Sequence, residues 1–119
     1  TPFTHVDRVD FDVLRTNLEA QLSAGVHDLI LGGSLGEAST LSRAEKGDLL
    51  RSTLAVAAGR VSVIMNVVES ATREAVDAAQ EAEAAGADGL MLLPPMRYGA
   101  DARETVAFFR AVADSTTLP

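Results

Sequence analysis

The chain has 119 residues, of which 47% are hydrophobic, enough for one domain with a real core and too many for a disordered segment. Ten Lys and Arg against seventeen Asp and Glu give a formal charge of −7, which argues against a nucleic-acid surface or an anchor on an anionic membrane. Cysteine is absent, excluding disulfides, zinc–thiolate sites and a thiol nucleophile, and neither a membrane-length apolar run nor a secretion signal is visible, so a cytoplasmic globular α/β protein is expected.

Taken in chain order, Thr1-Pro2-Phe3-Thr4 reads as the loop leaving an earlier strand. Residues 11–24 have helical periodicity, with Phe11, Leu14, Leu18 and Leu22 recurring every three or four positions. Residues 26–31 form a short apolar run suited to a strand buried on both faces. Ser42-Arg43-Ala44-Glu45 is a capping box that opens a helix with a Leu49, Leu50, Leu54 and Ala57 stripe. A second strand is predicted over 61–68 and an alanine-rich helix over 72–85. A third strand follows at 90–93. The last helix spans about 102–114, with Val106, Phe109, Ala111 and Val112 as buried candidates. Leu118-Pro119 looks like the threshold of another strand, so both ends read as lying inside a repeating pattern.

The repeat itself is visible. Ala24-Gly25-Val26 and Ala85-Gly86-Ala87 each end a helix at a glycine and lead into an apolar run, and Ala58-Gly59-Arg60 is a looser copy. The three glycines are 34 and 27 residues apart, a spacing that suits successive βα units. An open flavodoxin-like sheet could be completed in this length, whereas a (β/α)₈ barrel needs about 250 residues. Periodicity alone does not separate the two.

Gly32-Gly33-Ser34-Leu35-Gly36-Glu37-Ala38 follows the first apolar run directly. Glycines there permit a tight turn whose backbone N–H groups can face an anion such as a carboxylate or phosphate. No Lys-Ser/Thr follows the last glycine, so the turn is not a nucleotide P-loop. The longer string, with Thr40-Leu41-Ser42 and Glu45 in register, resembles the dihydrodipicolinate synthase / N-acetylneuraminate lyase family. Thr1-Pro2-Phe3, Gly59-Arg60-Val61, Ala85-Gly86-Ala87-Asp88-Gly89, Pro94-Pro95 and Phe109-Arg110-Ala111-Val112-Ala113 extend the resemblance across essentially the whole chain. It corresponds to the first half of the family's barrel without its first strand.

That resemblance implies a (β/α)₈ TIM barrel, of which this chain supplies four helices and strands two to four. It also implies a lyase acting on pyruvate or a related 2-oxo acid through a lysine Schiff base, with no cofactor or metal, in a homo-oligomer (dimer or tetramer). Gly33, Ser34, Leu35 and Gly36 fall on the loop that holds the substrate carboxylate. Ser34 falls on the hydroxyl that relays protons with a catalytic tyrosine. Leu35 stands where the family usually has Thr or Ser, a departure that suits a substrate other than that of dihydrodipicolinate synthesis. Glu37 reads as a structural brace of the loop.

The family's paired tyrosines, one of which crosses a subunit interface, are replaced by Met96 and Arg97, with Tyr98 one place later. Tyr98 reaches the site if the loop shifts; alternatively Arg97 binds a substrate carboxylate with its planar fork; or the loop merely packs at an interface. Asn66, near the carboxyl end of the second strand, either lines the pocket or satisfies loop backbone. His5 and His27 show no partner pattern, and Glu74, Asp77, Glu81 and Glu83 read as a solvated helix face.

Schiff-base chemistry needs an activated amine. The sole lysine, Lys46, sits beside Glu45 and Asp48 and reads as a surface lysine away from any strand mouth. The family's lysine and tyrosine come from later strands, so residues 1–119 alone are expected to be inactive. Two other classes compete: a self-associating half-barrel without catalysis, and a receiver-like signalling module, which would need acidic and lysine positions that this chain does not present.

Overall fold

The computed structural model describes residues 1–95 and 99–119. Four helices alternate with three strands: α1 (Phe11–Ser23), β1 (Asp28–Leu31), α2 (Arg43–Ala57), β2 (Ser62–Val67), α3 (Thr72–Ala85), β3 (Gly89–Leu92) and α4 (Ala102–Ala113). Side chains start the helices where the sequence puts them. Asp10 accepts from the Asp12 and Val13 amides ahead of α1, and Ser42 and Asp101 form capping boxes with Glu45 and Glu104. The three glycines of the repeat all take positive φ, and Gly86 at 94° is the cap that ends α3.

The strands pair in parallel and in chain order, β1-β2-β3. In register, Leu31, Met65 and Leu90 lie side by side, as do Ile30, Ile64 and Gly89. The two rows face opposite ways. Leu29, Leu31, Val63 and Met65 join Leu14, Leu18, Leu49 and Leu50 in the main core, so the helices cover that face. Ile30, between two buried leucines, is 54% exposed on the other face. A second cluster of Val67, Ala75, Ala79, Phe108 and Val112 joins β2 to α3 and α4. A receiver module would need five strands in a doubly wound order; the described residues form three, taken sequentially.

The strands begin or end one or two residues from the predicted bounds because Asp28↔Ser62 is the first pair of the β1–β2 ladder and Val67↔Leu92 the last of β2–β3. The larger correction concerns α4. Phe108 and Val112 are its buried residues, one turn apart, whereas Val106 is 48% and Phe109 36% exposed. Among the described helices α4 packs chiefly on α3, and that contact together with Val67 of β2 selects the 108/112 stripe. In α1, Phe11 is likewise exposed while Leu14 and Leu18 are buried.

In α2 Thr53 is fully buried where Leu54 is expected, and among the described residues its hydroxyl has no hydrogen-bond partner. A buried, unpaired hydroxyl costs about 1–3 kcal/mol. Thr53→Val replaces it with a methyl group of the same shape, and an increase in unfolding free energy of about 1 kcal/mol is expected in urea titration.

Candidate functional site

β1 hands the chain to a compact turn at its carboxyl end. Gly32 turns it with φ 66°, Gly33 is extended at φ −72° and ψ 172°, and Ser34–Gly36 and Ala38–Thr40 each make one 3₁₀ turn. Glu37 between them is left-handed at φ 59°, an uncommon state for a residue with a Cβ. Its carbonyl accepts from the Thr40 amide at 2.9 Å and hydroxyl at 2.8 Å, so Glu37 braces the loop through its main chain.

The loop's own hydrogen bonds decide which donors are left. The Gly36 and Ala38 amides donate to the Gly33 carbonyl, at 2.9 and 3.4 Å, and the Glu37 amide to Ser34 at 3.2 Å. The Ser34 and Leu35 amides have no acceptor among the described residues. Of the four residues expected to hold a carboxylate, Gly36 has therefore committed its N–H to closing the turn. Ser34 is exposed, and Leu35 is 100% exposed at the tip.

Two distant residues tie the loop down. The Thr1 hydroxyl donates to the Gly36 carbonyl at 2.6 Å, and Asn66 Nδ2 donates to the Gly32 carbonyl at 2.7 Å. Asn66 is buried on β2, and its Oδ1 has no partner among the described residues. Met65 and Val67 on either side of it pack among the helices, which turns Asn66 towards the same face as Ile30. Sequence reasoning assigned no role to Thr1, since a hydroxyl–carbonyl contact 35 residues apart leaves no periodic signature.

Arg97 and Tyr98 lie outside the described residues, as does Met96. Lys46 is not the free surface lysine expected from its neighbours. Its side chain is 19% exposed, and Nζ meets Glu69 Oε1 at 2.9 Å, beyond the carboxyl end of β2. The pair lines a cleft of about 650 Å³ between α2 and α3, with Arg43 and Glu81 on its rim. With the ammonium engaged by a carboxylate outside the sheet, Lys46 does not stand as a nucleophile. Lys46→Met would leave the half-buried Glu69 carboxylate without its cation; a loss of about 1–2 kcal/mol in thermal unfolding is expected, between the exposed and buried limits.

The acidic face of α3 is also less idle than its pattern implied. Arg43 pairs with Glu81 at 2.8 Å and with Asp77 at 3.7 Å, while Glu83 accepts from the hydroxyl and amide of Thr117. The Thr117 hydroxyl holds the Glu83 carboxyl below its ordinary range. Among the described residues no group of three or more His, Asp or Glu is arranged to hold a metal. His27 is exposed and directly precedes β1, at the end of the sheet opposite the loop.

Parallel strands taken in sequence, helices on one face and a glycine turn at a strand's carboxyl end define a segment of a (β/α)₈ barrel. The chain belongs to the dihydrodipicolinate synthetase family, whose model matches residues 1–119. It is 39% identical to a 4-hydroxy-tetrahydrodipicolinate synthase of Exiguobacterium sibiricum, over 100% of this chain and 41% of that enzyme. It is 33% identical to an N-acetylneuraminate lyase of Rhizobium meliloti, again over all of this chain and 40% of the relative. A crystal structure of the chloride-inhibited dihydrodipicolinate synthase from Acinetobacter baumannii, complexed with pyruvate, superposes with a TM-score of 0.97. It is 28% identical, over 100% of this chain and 41% of that one. The chain thus spans about two fifths of the length of the relatives it matches. Its fold is the N-terminal portion of their TIM barrel.

Proposed function

We propose that the protein is a lyase that binds pyruvate or a related 2-oxo acid as a Schiff base on a lysine outside residues 1–119. The observation that carries this reading is the pair of uncommitted adjacent amides at Ser34 and Leu35, on a loop whose Gly36, Glu37 and Ala38 amides close the turn. Two adjacent donors at the carboxyl end of a barrel strand suit a substrate carboxylate. The synthase complexed with pyruvate, which shares the fold, supports the substrate class. In the reaction the lysine amine attacks the 2-oxo carbon and water leaves, forming the imine. Ser34 offers a hydroxyl beside the bound carboxylate for proton relay. From the 96–98 segment either Tyr98 completes that relay or Arg97 clasps a carboxylate.

Leu35 presents an exposed aliphatic side chain at the loop tip, so we read the second substrate as different from that of dihydrodipicolinate synthesis. Aldol condensation, aldol cleavage and dehydration all proceed from the same imine. We further infer a homo-oligomer, dimer or tetramer. The test is borohydride trapping of the full-length protein with pyruvate. A stable adduct mapping outside residues 1–119 is the expected result; an adduct on Lys46, or none, would overturn the proposal.

A further inference from the structure

Asn66 joins two strands by a bond no neighbouring residue makes. Its Nδ2 donates at 2.7 Å to the carbonyl of Gly32, 34 residues away, where β1 turns into the loop. A side-chain amide nitrogen only donates, so this bond fixes which way the amide faces. Oδ1 is then left buried with no donor among the described residues, in a side chain that is 3% exposed. An asparagine serving packing alone would avoid an orphaned acceptor.

The carbonyl that Asn66 holds is a particular one. Gly33 closes a turn by accepting from the amide three residues on, Gly36, at 2.9 Å. By the same geometry the Gly32 carbonyl is the acceptor that would close on the Leu35 amide. Gly33, extended at φ −72° and ψ 172°, prevents that closure, so the Leu35 amide stays open while Asn66 holds the Gly32 carbonyl.

We propose that Asn66 is a positioning residue for the 2-oxo acid: by holding the Gly32 carbonyl it fixes the peptide from which the loop starts, and so aims the open Ser34 and Leu35 amides at the substrate carboxylate. This rests on the carboxylate-binding reading of the loop. It predicts an effect on the acid group specifically, which general loosening of the fold would not give.

The experiment compares pyruvate with methyl pyruvate in borohydride trapping of the full-length protein, for wild type, Asn66→Leu and Asn66→Ser. Asn66→Leu keeps the size of the side chain and removes the donor; Asn66→Ser keeps a donor on a shorter arm. For Asn66→Leu the half-saturating pyruvate concentration should rise about tenfold, the scale of one charge-assisted hydrogen bond. That for the ester should change less than about twofold, since an ester has no anionic oxygen to lose contact with. Asn66→Ser should fall between. Equal losses for acid and ester, or an unchanged acid-over-ester preference, would overturn the proposal; should Asn66→Leu not fold, Asn66→Ser is judged by the same ratio. Absence of any adduct in the wild type would instead sink the Schiff-base reading itself.

Discussion

Gly32→Val is expected to lower the unfolding free energy by about 2–4 kcal/mol and to abolish pyruvate trapping together. Gly32 holds φ 66°, which a β-branched residue reaches only at high cost. A Cβ there would also stand 3.3 Å from Met65 Cε and 3.6 Å from the Asn66 carbonyl. The methionine end can give way and 3.6 Å is an ordinary contact, so the cost lies in the backbone conformation. Relief would rotate the Gly32 peptide, pull its carbonyl from Asn66 and re-aim the amides that follow. Gly33→Ala is the matched control. Gly33 has negative φ and open space where a Cβ would go, so a stability change within about 0.5 kcal/mol is expected. Urea unfolding of the two variants measures the stability arm, and the borohydride adduct the functional arm. Equal behaviour of the two variants would mean that glycine at 32 is not a conformational requirement.

The second large effect concerns Asp88, which ties the entrance of β3 to β2. Its amide donates to the Val63 carbonyl at 2.9 Å, and its Oδ2 accepts from the Val63 amide at 2.8 Å. Val63 is 0% exposed, so water cannot replace the carboxylate once it is removed. Asp88→Ala therefore strands a buried N–H, and a loss of about 2–3 kcal/mol is expected, the range for a hydrogen bond to a charged group. Asp88→Asn keeps an acceptor oxygen in place and should recover more than half of that loss. Denaturant midpoints of the two variants decide the matter, since a simple surface aspartate would give two variants alike.

Much of this architecture is legible in the residues. The capping boxes at Ser42 and Asp101, the Asp10 cap and the Gly86 stop are local chemistry, and each helix begins or ends where that chemistry puts it. Short, largely apolar runs after each repeat glycine became the parallel strands, with helices over one face and Ile30 54% exposed on the other. What sequence reasoning missed depends on partners far along the chain. Val106, Phe108, Phe109, Ala111 and Val112 offer α4 two apolar stripes, and the positions of α3 and of Val67 in β2 choose between them. Lys46 looked solvated beside Glu45 and Asp48 because its real partner, Glu69, is 23 residues away. The glycine loop was recognisable by composition, but which of its amides remain open follows from the bonds it closes on itself. The tethers from Thr1 and Asn66 cross 35 and 34 residues, and no spacing rule encodes them.

The two apolar clusters meet at β2, where Met65 belongs to one and Val67, two residues on, to the other. The larger cluster draws on α1, β1, α2 and β2 and takes in Ala82 of α3, while the smaller rests on Val67, two alanines of α3 and two side chains of α4. Cooperative units of unequal size on one shared strand open at unequal cost. α4, whose buried residues Phe108 and Val112 belong only to the smaller cluster, is then the element expected to detach first. The glycine turn is tied to the larger unit at both ends, by the Gly32 carbonyl to Asn66 and by Leu41 in the core.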